Sequence, residues 1–403
     1  MNVLLRQGSR LLRGPSDPSR LRRLNALSVI DVIRHEALTI PAIARATGLS
    51  KTASDSVVTH LLDLGWVTAE DPLAPTGAGR PASRYRFRAE AAVVVGVDIG
   101  QHTTRVVIAD LNGAPLTDGV AAADAASDPG TLIAFAVERT GELLGALGRR
   151  REDVWSIGVA FPAVVEDGIV VRGSHGWDGF DIRAAFSAHF DCLTSVDNDS
   201  NLAALAEAWK GSATESHGLV YVHSGERTGS GLILNGEVFR GTRGAAGEIG
   251  ALPQLGWESA QQHLRGVQVD DGRLLERAQV FEGARDGHPA AVAAVDAFAE
   301  AIATGIAALV LTVDPDVVVV GGGNTRAGDV FLEPLRRHVD ALCIVREAPP
   351  LVLSSLQERA SVTGAVGLAV TSVLQRLYDV LLGGETLPRA DGSGMAFRAG
   401  APG

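Results

Sequence analysis

The stretch Val93-Val94-Val95-Gly96-Val97-Asp98-Ile99-Gly100 divides the sequence into two parts of different character. Apolar residues surround a glycine, and a carboxylate followed by a second glycine ends the run. This pattern predicts a buried strand that closes in a tight turn. A second strand is predicted at 104–109, before the hairpin signal Asn112-Gly113. The sequence before Val93 is arginine-rich and helical, whereas the sequence after it alternates strands and helices.

Composition excludes several classes of protein. The 403 residues, 46% of them hydrophobic and 21% charged, indicate a globular chain of two or three domains. No apolar run approaches the roughly 20 residues of a membrane-spanning helix, and the N-terminus lacks signal-peptide features. Two cysteines, Cys192 and Cys343, are too few for a disulfide framework or a zinc cluster. We therefore expect a cytoplasmic protein.

Charge is distributed unevenly along the chain. Residues 1–90 hold 13 Lys and Arg against 8 Asp and Glu, a net charge of +5, whereas the remainder carries −16. A basic module on an acidic body suggests a polyanionic partner for the module alone. A solvated basic face has the same composition, so charge by itself does not decide between the two.

The N-terminal part predicts a winged helix-turn-helix at 20–90, preceded by a flexible arm at 1–19. Helices are expected from Arg20, after Thr39 and after Ser50, with Gly48 in the turn between the second and third. Two alternating segments then form a hairpin whose tip carries Gly79-Arg80-Pro81. The alternative is a plain three-helix bundle used for protein contact.

The third helix of this unit would enter the major groove of DNA, and an extended arginine at the wing tip would suit a minor groove. The side chains expected to reach phosphates or base edges are short and polar or basic. They are Lys51, Thr52, Ser54, Ser56, Thr59 and Arg80.

The body, residues 91–383, repeats one opening pattern. A glycine-punctuated strand and hairpin occur near 93 and again near 219, which predicts two α/β lobes, about 91–215 and 216–383, with a cleft between them. The Gly-, Ala- and Pro-rich tail at 384–403 is expected to be disordered.

Four motifs of this body stand in the order found in the ROK family, which the chain resembles over nearly all of residues 20–380. They are Gly96-Val97-Asp98-Ile99-Gly100, Val196-Asp197-Asn198-Asp199-Ser200-Asn201, Gly244-Ala245-Ala246-Gly247-Glu248-Ile249-Gly250 and Val319-Val320-Gly321-Gly322-Gly323. The resemblance implies an α/β fold, with a winged helix-turn-helix before a two-lobed actin-like (ribonuclease H-like) body. The family includes sugar kinases and sugar-responsive repressors, and the repressors carry such a winged helix.

The phosphate-binding loops of the family's kinases are altered here. Gln101-His102-Thr103 replaces Gly-Thr-Lys, and Gly225-Glu226-Arg227-Thr228 replaces the start of a glycine-rich loop. A carboxylate at Glu226 would repel phosphates, and side chains block the close approach that glycine permits. Asp199 matches the family's catalytic base, but a base without a phosphate cradle cannot transfer phosphoryl groups. We therefore predict no catalytic residue in use and no bound ATP.

The family's zinc motif is missing as well. Ala251 stands where the resemblance implies a histidine, and residues 252–257 contain no cysteine, so the thiolate ligands are absent. We predict no metal site and no cofactor.

Part of a sugar site is retained. The resemblance implies that Asn198, Asp199 and Glu248 contact sugar hydroxyls. It also implies that Ser174 or His175 replaces a further sugar-binding asparagine, and that Glu258 matches the glutamate at the end of the family's zinc motif. The alternative is a vestigial pocket without a ligand.

These observations favour a sequence-specific repressor of carbohydrate genes. The predicted partners are double-stranded operator DNA with an inverted repeat and a sugar or sugar-phosphate effector, with the chain as a homodimer or dimer of dimers. No membrane partner is expected. Two alternatives stay open: an active sugar kinase with a DNA-binding appendage, and a DNA-binding regulator that needs no ligand.

Overall fold

The chain folds into a small helical unit followed by two α/β lobes built on the same plan. The computed structural model describes residues 18–70, 83–100, 102–122, 128–172, 176–269, 272–344, 348–382 and 387–390.

The N-terminal unit is a winged helix-turn-helix. Its helices are α1 (Pro18–Ile33), α2 (Ile40–Thr47) and α3 (Lys51–Asp63). Its strands are β1 (Leu38–Thr39), β2 (Val67–Glu70) and β3 (Arg84–Phe87), which form an antiparallel sheet in the order β1-β3-β2. Gly48 ends α2 with a φ of 74°, a left-handed conformation that glycine adopts without strain. The predicted wing is therefore present, although its tip lies outside the described residues.

The first lobe contains a five-stranded mixed sheet in the order β10-β7-β4-β5-β6. Its strands are β4 (Val93–Ile99), β5 (Thr103–Asp110), β6 (Pro115–Ala122), β7 (Val154–Phe161) and β10 (Leu193–Asn198), and a small hairpin is formed by β8 (Val164–Glu166) and β9 (Ile169–Arg172). The helices are α4 (Pro129–Ala146), α5 (Ile182–Ser187) and α6 (Asp199–Lys210). Strand β4 is antiparallel to β5 and parallel to β7.

The second lobe repeats this topology with the sheet order β13-β12-β11-β14-β15. Its strands are β11 (Leu219–Ser224), β12 (Thr228–Leu234), β13 (Glu237–Val238), β14 (Val317–Gly321) and β15 (Leu351–Leu353). Its helices are α7 (Arg277–Arg285), α8 (Pro289–Val313), α9 (Asp329–Leu342) and α10 (Ala360–Leu382). In both lobes an antiparallel hairpin sheet continues into two parallel strands, which confirms the predicted actin-like, ribonuclease H-like fold class.

Helix α10 returns to the first lobe and packs closely on its sheet. A Cβ at Gly158 of β7 would lie 2.0 Å from the Ala365 carbonyl oxygen, and one at Gly364 would lie 1.8 Å from that of Leu202 in α6. Only glycine permits such contact between backbones. The helix is therefore fixed against both the sheet and α6.

The same helix joins the winged helix to the body. One continuous apolar core contains Ile30 and Trp66 of the N-terminal unit, Trp155 of β7, and Val370 and Leu377 of α10. The rings of Trp66 and Trp155 meet edge to face with centroids 5.4 Å apart. The winged-helix unit is thus packed directly against the first lobe.

The prediction that the tail is disordered is wrong for residues 387–390. Leu387 and Ala390 are buried, the Trp66 Nε1–H donates to the Pro388 carbonyl oxygen at 2.7 Å, and the Ala390 N–H donates to that of Leu64 at 2.9 Å. A composition rich in small residues gave no sign of this long-range packing. The rest of the predicted tail, and the arm before Pro18, lie outside the described residues.

One further expectation needs correction, namely that no apolar run approaches the length of a membrane-spanning helix. Pro289–Val313 and Gln357–Val380 are long and apolar enough to cross a membrane by length and composition. Over half of each is buried within the protein, and both contribute to its apolar cores.

Candidate functional site

The first candidate site is the outer face of α3. Ser50 caps this helix, since its Oγ accepts from the Ala53 N–H at 3.1 Å. Packing of Val57, Val58 and Leu61 against the unit's core turns the opposite face to solvent. Four of the predicted DNA contacts are exposed there: Lys51, Thr52, Ser56 and Thr59. These four side chains are therefore accessible on one face of the helix, and their contact with DNA stays a prediction.

Ser54 does not belong to that face. It is fully buried, and its hydroxyl donates to the Ser50 carbonyl oxygen at 3.1 Å. The buried stripe of α3 consists of Ser54, Val57, Val58 and Leu61. A serine in a helix can be buried because its hydroxyl can donate a hydrogen bond to the carbonyl oxygen four residues earlier. Arg80, the sixth predicted contact, lies outside the described residues.

The second candidate site is a cleft of about 770 Å³ between the lobes. Its walls combine apolar rings with a few charged groups, as small-molecule sites do. The residues that carry the argument below are Phe161, Trp177, Arg172, Arg227, Glu248, Trp257 and Glu258. Phe161 and Trp177 are in direct contact, with ring centroids 4.4 Å apart. Two of the predicted ligand contacts, Glu248 and Glu258, thus face this cavity.

Asn198 performs a structural task beside the cleft. Its Oδ1 accepts from the Ser200 N–H at 2.8 Å and the Asn201 N–H at 3.2 Å, which caps α6, and its Nδ2 donates to the Ala163 carbonyl oxygen at 3.2 Å. The amide is therefore committed to the protein. Asn198 positions Asp199, the first residue of α6.

Three carboxylates influence one another at the lobe junction. Burial, and then the nearby charge of Asp199, raise the pKa of Asp98 to about 7, and Arg105 opposes the rise. Burial and then Asp199 also raise the pKa of Glu248. Asp98 was not predicted as a site residue, although its motif opened the sequence argument. Carboxylates in this arrangement can accept hydrogen bonds from ligand hydroxyls, or donate one when protonated.

The two altered phosphate loops meet at the mouth of the cleft. The His102 Nε2–H donates to Glu226 Oε2 at 2.9 Å, which joins the β4–β5 turn of the first lobe to the β11–β12 turn of the second. This hydrogen bond is the first cause that lowers the pKa of Glu226. The side chains of His102 and Glu226 thus connect the two loops that correspond to the phosphate-binding loops of the family's kinases.

A second link between the lobes lies beneath the cleft. The Asp197 carboxylate accepts from the Asn198 N–H and from Asn201 Nδ2 on one oxygen, and from Arg240 on the other at 2.6 Å. Sequence reasoning missed this pair, because the two residues are 43 positions apart and no motif marks Arg240. It also missed Arg172 and Arg227 as cleft residues. Arg227 stood in a quoted loop, where it was considered only as an obstruction.

Other predicted residues can be placed only in part. Ser174 and His175 lie outside the described residues. Over the described ranges, no group of three or more His, Cys, Asp or Glu side chains could hold a metal ion. Ala251 lines the cleft in the position of the family's histidine. The residues present therefore do not fit the zinc that the family implies.

Comparison with known proteins agrees with this architecture. A xylose repressor of Caldicellulosiruptor bescii is 21% identical over 88% of this chain and 97% of its own length. A glucokinase of Halalkalibacterium halodurans is 26% identical over 63% of this chain and 87% of its own. Among solved structures, a ROK family transcriptional regulator homologous to the E. coli MLC protein has a TM-score of 0.70 at 19% identity, and it covers 91% of this chain and 99% of its own.

The profile of the ROK family matches residues 94–255 and 256–372, which together form most of the two lobes. The chain belongs to the ROK family.

Proposed function

We propose that this chain is a transcriptional repressor of carbohydrate genes that binds operator DNA as a dimer. A carbohydrate effector binds in the interlobe cleft and weakens DNA binding. The body transfers no phosphoryl group. The observation that carries the proposal is the exposed polar face of α3, with Lys51, Thr52, Ser56 and Thr59, on a helix that begins after a glycine turn.

The full-length relatives support the DNA-binding part. Xylose repressors match the chain over both the winged helix and the body, whereas the glucokinase match covers 63% of the chain. A dimer is expected because helix-turn-helix proteins read two half-sites one or more helical turns apart.

The composition of the cleft supports a carbohydrate effector. Phe161, Trp177 and Trp257 offer apolar ring surface, and Glu248 and Glu258 offer acceptors for hydroxyl groups. Such a combination of ring faces with a few convergent polar groups suits a polyhydroxylated ring.

The bridge from His102 to Glu226 supports the absence of kinase activity, because both side chains stand where a nucleotide's phosphates would need backbone donors. The second candidate function is a sugar kinase with a DNA-binding appendage. Asp199, which matches the kinase base, and the glucokinase relative favour it.

The proposal is tested by selecting binding sites from random duplex DNA with the full chain, then titrating the best site by fluorescence anisotropy. We expect the selected DNA sites to contain an inverted repeat. Sugars and sugar phosphates are then added one at a time, and the effector should raise the dissociation constant of the protein for DNA. Selection that enriches no sequence would contradict DNA recognition, and a curve that no ligand moves would contradict the effector.

A further inference from the structure

A second cavity, of about 640 Å³, adjoins the cleft. The two cavities share Glu226 and Arg227 as a common wall. On the far side of that wall the second cavity is lined by Gln261, Arg265 and Arg277. Three arginines therefore surround a space that opens beside the candidate effector cleft.

The side chains of these arginines have no ion-pair or hydrogen-bond partner among the described residues. The charge of Glu226 nevertheless acts on Arg265 and Arg277. Two carboxylates also line the cavity: Glu226 accepts from His102, and Glu276 donates its backbone N–H to Gln279 Oε1 at the start of α7. The cavity thus presents three guanidinium groups against two carboxylates, a net charge of +1.

Positively charged groups act on the shared wall. The pKa of Glu226 is lowered first by its hydrogen bond from His102, and the charges of His102, Arg277 and Arg265 lower it further. Two of the cavity's arginines are consequently close enough to act on a group at the wall between the cavities.

Gln261 supplies an independent sign of a ligand. The side chain is only 8% exposed, and its Nε2 donates to the Gly225 carbonyl oxygen at 2.6 Å. Its Oε1 is buried and has no donor among the described residues. A buried acceptor without a partner is costly, and a ligand that brings a hydrogen-bond donor here, such as a hydroxyl or the P–OH of a singly protonated phosphate ester, would satisfy it.

We propose that the effector is a sugar phosphate that spans both cavities, with its sugar ring in the cleft and its phosphoryl group held by Arg227, Arg265 and Arg277. The planar guanidinium fork matches phosphate oxygens and forms charge-assisted hydrogen bonds. Arg227 lies on the shared wall and is therefore the first cation that the phosphate meets. This inference rests on the proposed function, since it takes the effector to be a carbohydrate.

The test compares each neutral sugar with its own phosphate ester on the full chain. The probes are glucose and glucose 6-phosphate, N-acetylglucosamine and its 6-phosphate, inorganic phosphate, and ATP. Dissociation constants come from isothermal titration calorimetry, and melting temperatures come from thermal shift. The variants are Arg265→Ala and Arg277→Ala, and Arg183→Ala, an exposed arginine that lines neither cavity, is the control.

We expect at least one ester to bind on the order of tenfold more tightly than its parent sugar. Each cavity variant should remove this advantage without changing the melting temperature of the free protein, and Arg183→Ala should keep it. Inorganic phosphate should bind weakly and compete with the ester.

Other results would overturn the inference. One is that no ester binds more tightly than its parent sugar, and another is that the tighter binding of the ester persists in both cavity variants. The others are that ATP or inorganic phosphate binds as tightly as an ester, and that no phosphate compound binds at all. A neutral sugar that releases DNA while its ester does not would overturn this inference and leave the proposed function standing. Failure of every ligand to release DNA would count against the proposed effector as a class.

Discussion

Arg34 and Asn112 form two hydrogen bonds across the boundary between the winged helix and the body. The Arg34 Nε–H donates to Asn112 Oδ1 at 3.2 Å, and Asn112 Nδ2 donates to the Arg34 carbonyl oxygen at 3.1 Å. Arg34 directly follows α1, and Asn112 lies in the β5–β6 turn. The guanidinium also lies over the Phe87 ring, 5.8 Å from its centroid. The pair therefore fixes the DNA-binding unit to one turn of the first lobe.

The same turn is held from the cleft side by α6. Lys210, the last residue of that helix, donates from Nζ to the Gly113 carbonyl oxygen at 2.6 Å. Asp199 begins the helix beside the cleft, about 18 Å away for twelve residues of α-helix. A continuous set of contacts thus connects the cleft to the winged helix through α6 and the β5–β6 turn.

Asn112→Ala should weaken this joint. Two hydrogen bonds of about 0.5–1.5 kcal/mol each are lost, so the free energy of unfolding should fall by about 1–3 kcal/mol in urea titrations. We also expect the variant to bind the selected DNA site but to respond less to the effector in anisotropy titrations. Glu36→Ala, an exposed change near the same end of α1, is the control. An unaltered response to the effector in Asn112→Ala would mean that coupling takes another route.

The chain should show no sugar kinase activity. His102 and Glu226 bridge the two altered loops, and their side chains stand in place of the glycines that would let the backbone approach phosphates. A coupled ADP-release assay with glucose, N-acetylglucosamine and xylose should give the rate of the buffer alone. Turnover that disappears in Asp199→Asn would contradict the prediction, whereas turnover that persists in that variant would point to a contaminating kinase.

Lys51→Ala and Ser56→Ala should weaken DNA binding. Loss of a phosphate contact at Lys51 should reduce affinity on all sequences and lower the salt dependence by about one counterion, and loss of a base contact at Ser56 should cost about 1–3 kcal/mol on the selected site only. Ser54→Ala is the matched control on the same helix, because the Ser54 hydroxyl is buried and donates to the Ser50 carbonyl oxygen. A gel-shift titration in which Ser54→Ala loses as much affinity as the other two would contradict the assigned face.

The sequence predicted those features of the fold that local pattern determines. The strand at Val93, the hairpin turn at Asn112-Gly113 and the repeated opening near Leu219 all follow from apolar periodicity and glycine placement. The repeated opening then indicated two lobes with a cleft, and three of the four motifs lie at strand ends.

Long-range packing could not be predicted in this way. Ser54 is buried because the core covers one face of α3. The sequence has serines at both 54 and 56, so the helical pattern alone did not show which of them faces the core. Arg34 and Asn112 are 78 residues apart, and only the fold brings them together. Likewise, Arg227 and Arg265 belong to one cavity because a 3₁₀ segment places Gln261 under the Gly225 loop.

Trp66→Phe should release residues 387–390. The change keeps an aromatic ring in the core but removes the Nε1–H that donates to the Pro388 carbonyl oxygen. We expect a loss of about 1–3 kcal/mol in the free energy of unfolding. Hydrogen exchange at the Ala390 amide, which donates to the Leu64 carbonyl oxygen, should also accelerate. Leu387→Ala provides a second route to the same release. Unchanged protection of Ala390 in both variants would show that the segment is held by other contacts.

Asp98→Asn should remove a pH dependence of stability. In the unfolded chain this carboxyl ionises near its ordinary pKa of 3.8, whereas burial keeps it protonated in the folded protein up to a pKa of about 7. Between these values the folded state binds more protons, so wild-type stability should fall as pH rises, by at most about 1.4 kcal/mol per pH unit. Asparagine resembles the protonated carboxyl, so the variant should unfold at a higher denaturant concentration than wild type at pH 8 and at a similar one at pH 4. Urea titrations from pH 4 to 8 measure the difference between the two proteins. Parallel curves across that range would show that Asp98 is ionised in the folded protein like an exposed carboxylate.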